Sequence, residues 1–413
     1  MTFRAHFPAT SLPSFIALLC SMMLSAPAQS GAQDLSSGQG ETEVVQFDDL
    51  FSEPGSDRVV EDSGIDHLQA FEETATTRVS GSYSGVFSAA AGWKEWPLLE
   101  NPRTGLTTSA GFLGTAGISL DARPDRAFHL VTDLSLIYDP RSDGVYTWNF
   151  AKVIVTDLYV DYNLADLAFL RFGQFLWTSG QGRLFMPGNL TSDAETGFTL
   201  RVSFPTLLSG VTVAALAQSD LFEDSEAPAW RELGVVAGLD QIIGPVRIGF
   251  TGRYSVAEGG SCLMSVKGPL YGTDLFFDGV VTDNATGTIG FKALGGFFRE
   301  WKNVQAYGEY SMEMRASPTV AWYPGSLGLV LVSREFMNTP FKAGLQWLHS
   351  VTDGSGCLTL GASWVLASHV SAKLALPISY GVSGSSYVSS SLNLDPLKRR
   401  LALVLMVTVE GSI

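Results

Sequence analysis

Polar and apolar residues alternate along most of this chain. In NVQAYGEYSMEMR, Asn303 to Arg315, one set of alternate positions is Val304, Ala306, Gly308, Tyr310, Met312 and Met314. The other is Gln305, Tyr307, Glu309, Ser311 and Glu313. A two-residue period places successive side chains on opposite faces of a strand. The period recurs in AFHLVTDLSLIYD, KVIVTDLYVDY, PVRIGFTGRY, PFKAGLQWLH and CLTLGASWVL. In KVIVTDLYVDY it groups Ile154, Leu158, Val160 and Tyr162 against Val153, Asp157, Tyr159 and Asp161. No long helical pattern interrupts it. Tight connections such as NLAD, QIIG and EWKN alternate with longer ones such as WTSGQGRLFMPGNLTSDAE and GVSGSSYVSSSLNLDPLKR.

Composition decides what the apolar face meets. Of the 413 residues, 46% are hydrophobic and 16% charged, against roughly 25% charged in an ordinary soluble domain. No apolar run approaches the ~18 residues of a spanning helix. The polar faces carry Gly, Ser and Thr with few charges, fewer than water-facing strands carry. Tyr138, Tyr162, Tyr254, Tyr310, Trp347 and Trp364 sit on the apolar faces near strand ends, as interfacial girdles require. A lipid-facing sheet must close, because an unpaired edge cannot be hydrated there. The expected fold is all-β: a transmembrane antiparallel up-and-down barrel occupying residues 76–413, with 14–18 candidate strands, the count open at Ser261–Gly268 and Ser386–Leu394, and 16 taken as the expected number.

The N-terminal part reads differently. Arg4, the apolar FIALLCSMML and small-x-small sites ending at Ala28 or Ala32 have the layout of a secretory signal peptide, assigned to residues 1–28. Leu19 before Cys20 argues against lipidation. Between Asp34 and Glu73 there are twelve acids and one base, Arg58. Such a balance opposes a packed fold, so residues 29–75 are expected to form an acidic, mostly disordered periplasmic leader. Two cysteines then remain, Cys262 and Cys357, placed next to expected loops; a bridge and two free thiols are both open.

The segment RFGQFLWTSGQGRLFMPGNL, Arg171 to Leu190, is similar to one found in bacterial outer-membrane porin-like barrels, where an R-x-G strand leads into a W-G-x-G loop and then F-x-P-x-N. Arg171 and Gly173 match the strand. Trp177, Gly180, Gly182, Phe185, Pro187 and Asn189 match the loop, which has two extra residues after Trp177. The acidic leader with DDLF also resembles spirochaete barrel proteins. The resemblance covers about 20 residues and implies passive passage of small hydrophilic solutes across the outer membrane of a diderm bacterium. It implies a lipid bilayer and the barrel-assembly machinery as partners, with oligomerisation allowed. Such barrels usually end on an aromatic residue; this chain ends on Ile413. The alternative is a structural or adhesive barrel acting through its loops. A fatty-acid-type transporter would want a hydrophobic plug, which the acidic leader does not make.

Enzyme signatures G-x-S-x-G, H-E-x-x-H and the Walker loop are absent. The five histidines have no metal spacing, nothing calls for a cofactor, and the acidic balance excludes nucleic acid. The candidate functional residues are therefore the charges that alternation turns inward. The acids are Asp133, Asp157, Asp161, Glu309 and Glu313. The bases are Arg201, Arg247, Arg253, Lys292 and Lys342. Arg171 is placed with them, although Phe169 and Phe175 share its parity. An Arg or Lys on the lipid face at the midplane costs ~2–4 kcal/mol, so the lumen is the cheaper place. The loop from Trp177 to Glu195, with Gly180, Gly182, Arg183, Phe185, Pro187 and Asn189, combines glycine, proline and aromatics and is expected to fold inward as a constriction.

Overall fold

The computed structural model describes residues 76–93, 106–124, 127–138, 151–175, 177–191, 197–206, 208–217, 233–284, 289–302, 304–315, 325–333, 340–388 and 400–412. The segment 1–28, the leader 29–75 with its DDLF, and Ile413 lie outside them. The strands are β1 (Thr76–Trp93), β2 (Leu106–Arg123), β3 (Phe128–Tyr138), β4 (Ala151–Leu164), β5 (Ala168–Gln174) and β6 (Phe198–Pro205). Next come β7 (Ser209–Ala217), β8 (Gly234–Ile243), β9 (Val246–Ser255), β10 (Gly259–Leu270), β11 (Thr273–Asn284) and β12 (Ile289–Trp301). The last are β13 (Val304–Arg315), β14 (Gly325–Ser333), β15 (Phe341–Ser350), β16 (Gly356–Ala367), β17 (Val370–Tyr380) and β18 (Leu401–Ser412).

Each strand pairs antiparallel with its chain neighbours, and β1 also pairs with β18, from Ser82↔Ser412 to Trp93↔Leu401. The sheet is a closed barrel of 18 strands. The count corrects the expected 16. Three strands share residues 246–284, because the turns 256–258 and 271–272 are hairpins and SCLMSVKG is β10 rather than a loop. Connections at one end are short, as at 165–167, 244–245, 271–272 and 368–369. Those at the other include 94–105, 175–197, 218–233 and 381–400.

The two faces differ as the alternation requires. Phe250, Tyr254, Phe277, Leu360 and Leu405 are exposed on the outside, whereas Gly249, Ser255, Asp278, Ala375 and Val404 are buried on the inside. One strand departs from simple alternation. The β3–β4 register slips beside Asp133, so that Leu134 faces Val155 and Ser135 faces Ile154. This bulge inserts one residue near Thr156 and reverses parity below it. Ile154 therefore shares the inner face with Ser135, and Val153 is 65% exposed outside. The grouping of Ile154 with Leu158 is thus overturned by a single extra residue. Cys262 is exposed on β10 and Cys357 lies within β16 on the inner face; both are free.

Within β5, Gly173 has a φ of +140°, and a Cβ there would lie 2.0 Å from the Leu158 carbonyl oxygen. At the long-loop end, the Asp353 turn holds the segment after β17. Asp353 accepts the Ser355 amide and hydroxyl at 2.9 and 2.6 Å on Oδ1, and the Ser386 amide and hydroxyl at 2.8 and 2.7 Å on Oδ2. Desolvation pulls its pKa up, but these bonds outweigh it and hold the carboxyl below the usual carboxylate range.

Two outcomes follow from these local features. Gly173→Ala should destabilise the barrel, by about 1–3 kcal/mol from the backbone conformation alone; urea unfolding in detergent measures it. Because the folded Asp353 pKa is depressed, its tether is present above the ordinary Asp value near pH 4 and is lost only as pH falls through the lower folded value. Amide exchange around Ser386 should stay slow down to about pH 4 and become fast at neutral pH in Asp353→Asn.

Candidate functional site

After β5, residues 177–191 lie inside the barrel. They run along the inner wall from β6 to β14. Trp177 packs on Ala214, Leu216 and Val236; Leu190 packs on Leu263 and Val280. Leu184 and Phe185 reach the cluster of Phe276, Leu294, Tyr307, Val330 and Val332. Burying each large apolar side chain is worth ~1.5–3 kcal/mol. The covered wall explains why β14, GSLGLVLVS, reads as nearly continuous apolar sequence: Val330 and Val332 meet the loop, while Leu329 and Leu331 face outward.

The backbone of this loop has no strand to pair with, so side chains take its donors. Five successive amides, Gln181 to Phe185, point at two carboxylates on the wall. The Gln181 and Gly182 N–H groups donate to Asp278 Oδ2 at 2.6 and 3.2 Å. Arg183 N–H donates to Glu309 Oε1 at 2.6 Å; Leu184 and Phe185 N–H donate to Oε2 at 3.0 and 2.8 Å. The Tyr307 hydroxyl also donates to Glu309 Oε1. Gly182 is required by close approach, since a Cβ there would lie 2.1 Å from the Phe185 carbonyl oxygen. The rest of the loop is stitched internally. Ser179 Oγ donates to the Gly188 carbonyl at 2.5 Å and accepts the Leu190 N–H at 2.7 Å, and Thr191 Oγ1 donates to the Trp177 carbonyl at 2.5 Å. Met186 is exposed, while Pro187 and Asn189 flank the internally bonded Gly188.

At the loop's root two arginines stand opposite one another, Arg171 on β5 and Arg201 on β6. Like charges in direct cross-strand register repel. Asp161 on β4 offsets this with a two-pronged bond to Arg171, at 2.6 and 2.9 Å. Aromatic rings interleave with the guanidinium groups: Arg171 lies 4.3 Å from the Tyr159 ring centre and 5.2 Å from Phe175, and Arg201 lies 5.4 Å from Phe175 and 5.3 Å from Trp177. Arg, Phe and Trp at alternate positions of RFGQFLW thus form one stack with the neighbouring strands. Behind it, His129 contacts Asp121 through Nε2 at 3.0 Å and Asp161 through Nδ1 at 3.4 Å.

The other singled-out charges lie elsewhere on the inner face. Asp133 pairs in register with Asp157, and Lys292 with Glu313. Arg247 is 3.5 Å from Asp240, and Arg253 is 2.7 Å from Glu258 while donating to the Leu190 carbonyl at 3.3 Å. Lys342 is the register partner of Ser363, across which lies Lys373. Glu309 is not a bare lining charge: it is 2% exposed beneath the loop. Asp278 was not among the candidates. Its signal is an acid at a position where FFDGVV keeps its inward neighbours, Phe276 and Val280, apolar.

No protein-family model matches the chain, and no curated protein matches its sequence. Among solved structures, OccD3 (OpdP) of Pseudomonas aeruginosa aligns at a TM-score of 0.51 and 8% identity, over 82% of this chain and 93% of its own. OccK5 (OpdH) of the same organism aligns at 0.50 and 9%, over 82% and 98%. An anion-selective porin from Comamonas acidovorans aligns at 0.44 and 10%, over 82% and 100%. At this identity the first two share the barrel fold with this chain.

The Asp161–Arg171 pair yields a direct test. Arg171→Leu strips the buried Asp161 carboxylate of its two-pronged partner and should cost ~3 kcal/mol or more. The double variant Asp161→Leu with Arg171→Leu should recover most of that loss. Unfolding midpoints of the single and double variants in detergent measure the difference.

Proposed function

We propose that the protein is an outer-membrane channel for passive diffusion of small hydrophilic solutes, narrowed by the loop 177–191. The single observation that carries this reading is the loop itself, laid along the inner wall and held there by Asp278 and Glu309. A barrel of 16–18 strands is too wide for its own side chains to fill and leaves an aqueous channel. A loop folded inward sets the bore of such a channel. The same strand count speaks against a plugged, purely structural barrel.

In this reading the exposed apolar band meets lipid, and the aromatics at strand ends meet its two interfaces. Tyr138 and Tyr254 lie at the long-loop end, and Tyr162 and Trp364 at the short-turn end. Long loops then face the exterior and short turns the periplasm, as in outer-membrane barrels generally. Residues 1–28 direct export, the acidic leader 29–75 lies in the periplasm, and the barrel-assembly machinery inserts the chain. Inward charges of both signs, such as Lys292 beside Glu313 and Asp133 beside Asp157, keep the lumen polar for solutes.

The refolded protein in planar bilayers should give discrete conductance steps. Deletion of Gly180–Gly188 should raise the unit conductance. Absence of steps in the intact protein, with the barrel folded, would return the structural reading to first place.

A further inference from the structure

The two carboxylates that hold the loop are used unequally. Glu309 accepts on both oxygens: Arg183 N–H and the Tyr307 hydroxyl on Oε1, Leu184 and Phe185 N–H on Oε2. Asp278 accepts on Oδ2 alone. Its Oδ1 is buried and has no hydrogen-bond partner among the described residues. A proton can therefore sit on Asp278 Oδ1 without displacing any donor. A proton on either oxygen of Glu309 puts an O–H where two donors already point, and at least one of them must leave.

We propose that Glu309 is a positioning residue for the constriction, a charge-dependent latch whose protonation releases residues 183–185 and changes the bore. The proposal rests on the channel reading for its consequence, but the latch itself does not. The charged and titratable groups around Glu309 are few. Asp278 faces it from β11, and Tyr307 lies on its own strand. Arg183 of the loop has its guanidinium 5.4 Å from the Tyr307 ring and 5.8 Å from the Phe298 ring. The register partners of Glu309 on β12 and β14 are Gly296 and Gly328, which carry no charge; the Lys292–Glu313 pair lies further along β12 and β13. The ionised carboxylate is the form that satisfies all four donors. The latch is thus closed above the pH at which Glu309 takes up a proton and opens below it.

Two isosteric variants separate the roles. Glu309→Gln puts an NH2 group against two donors, whereas Asp278→Asn keeps the accepting oxygen and alters only the one that accepts nothing. Amide exchange of residues 183–185, followed by mass spectrometry on the full chain in detergent at pH 7.5, reads the latch directly. The expected result is exchange roughly tenfold or more faster in Glu309→Gln, with Asp278→Asn close to the unaltered protein. In bilayers Glu309→Gln should show at neutral pH the conductance that the unaltered protein reaches only in acid.

Unchanged exchange in Glu309→Gln, or equal loosening in Asp278→Asn, overturns the latch. If Glu309→Gln does not fold, the unaltered protein decides. Protection of 183–185, corrected for intrinsic exchange, should fall on acidification, and constant protection down to about pH 3, below the ordinary glutamate range, overturns the proposal. If exchange separates the variants but none conducts at any pH, the latch stands and the channel reading fails.

Discussion

Backbone N–H and C=O groups that cannot reach water must be paired within the chain, and that requirement governs this molecule twice. In the wall it forces closure: with an apolar outer surface the sheet cannot end in an open edge, and β1 meets β18 along twelve register pairs. In the lumen it acts on the loop after β5, whose amides lie against the wall with no strand to join. There Asp278, Glu309, Ser179 and Thr191 take the place of a partner strand.

This second use shapes the strands opposite the loop. A strand lining an open aqueous lumen can be polar on its inner face throughout. Strands β10 to β14 instead carry Leu263, Phe276, Val280, Leu294, Val330 and Val332 inward, because the loop covers them. Within that apolar patch, donors on both oxygens of Glu309 and on Oδ2 of Asp278 offset the burial of the two carboxylates. A buried carboxylate without donors would cost several kcal/mol.

The root of the loop solves a different problem. Two arginines in register repel, and the fold keeps them through one carboxylate and three aromatic rings. The stack ties Tyr159, Phe175 and Trp177 to the strand β6 that receives the chain after its excursion. The loop therefore leaves the wall beside this stack and is held again at residues 181–185 by Asp278 and Glu309.

Alternation, low charge and the absence of a spanning helix are local properties, and they were enough to determine an all-β antiparallel barrel. Tertiary structure decided what depends on distant partners. The strand number rests on whether three residues at 256–258 form a turn, which VAEGGS does not settle alone. The facing of Ile154 hangs on one extra residue beside Asp133, and a two-residue period has no memory across a bulge. The role of Glu309 depends on amides some 124–126 positions away along the chain, and that of Asp278 on amides 96–97 positions away. Their strands carry the acids but not their donors. A sequence pattern records which face a side chain takes, because that is set by its neighbours two positions off; it does not record what the closed barrel brings against that face.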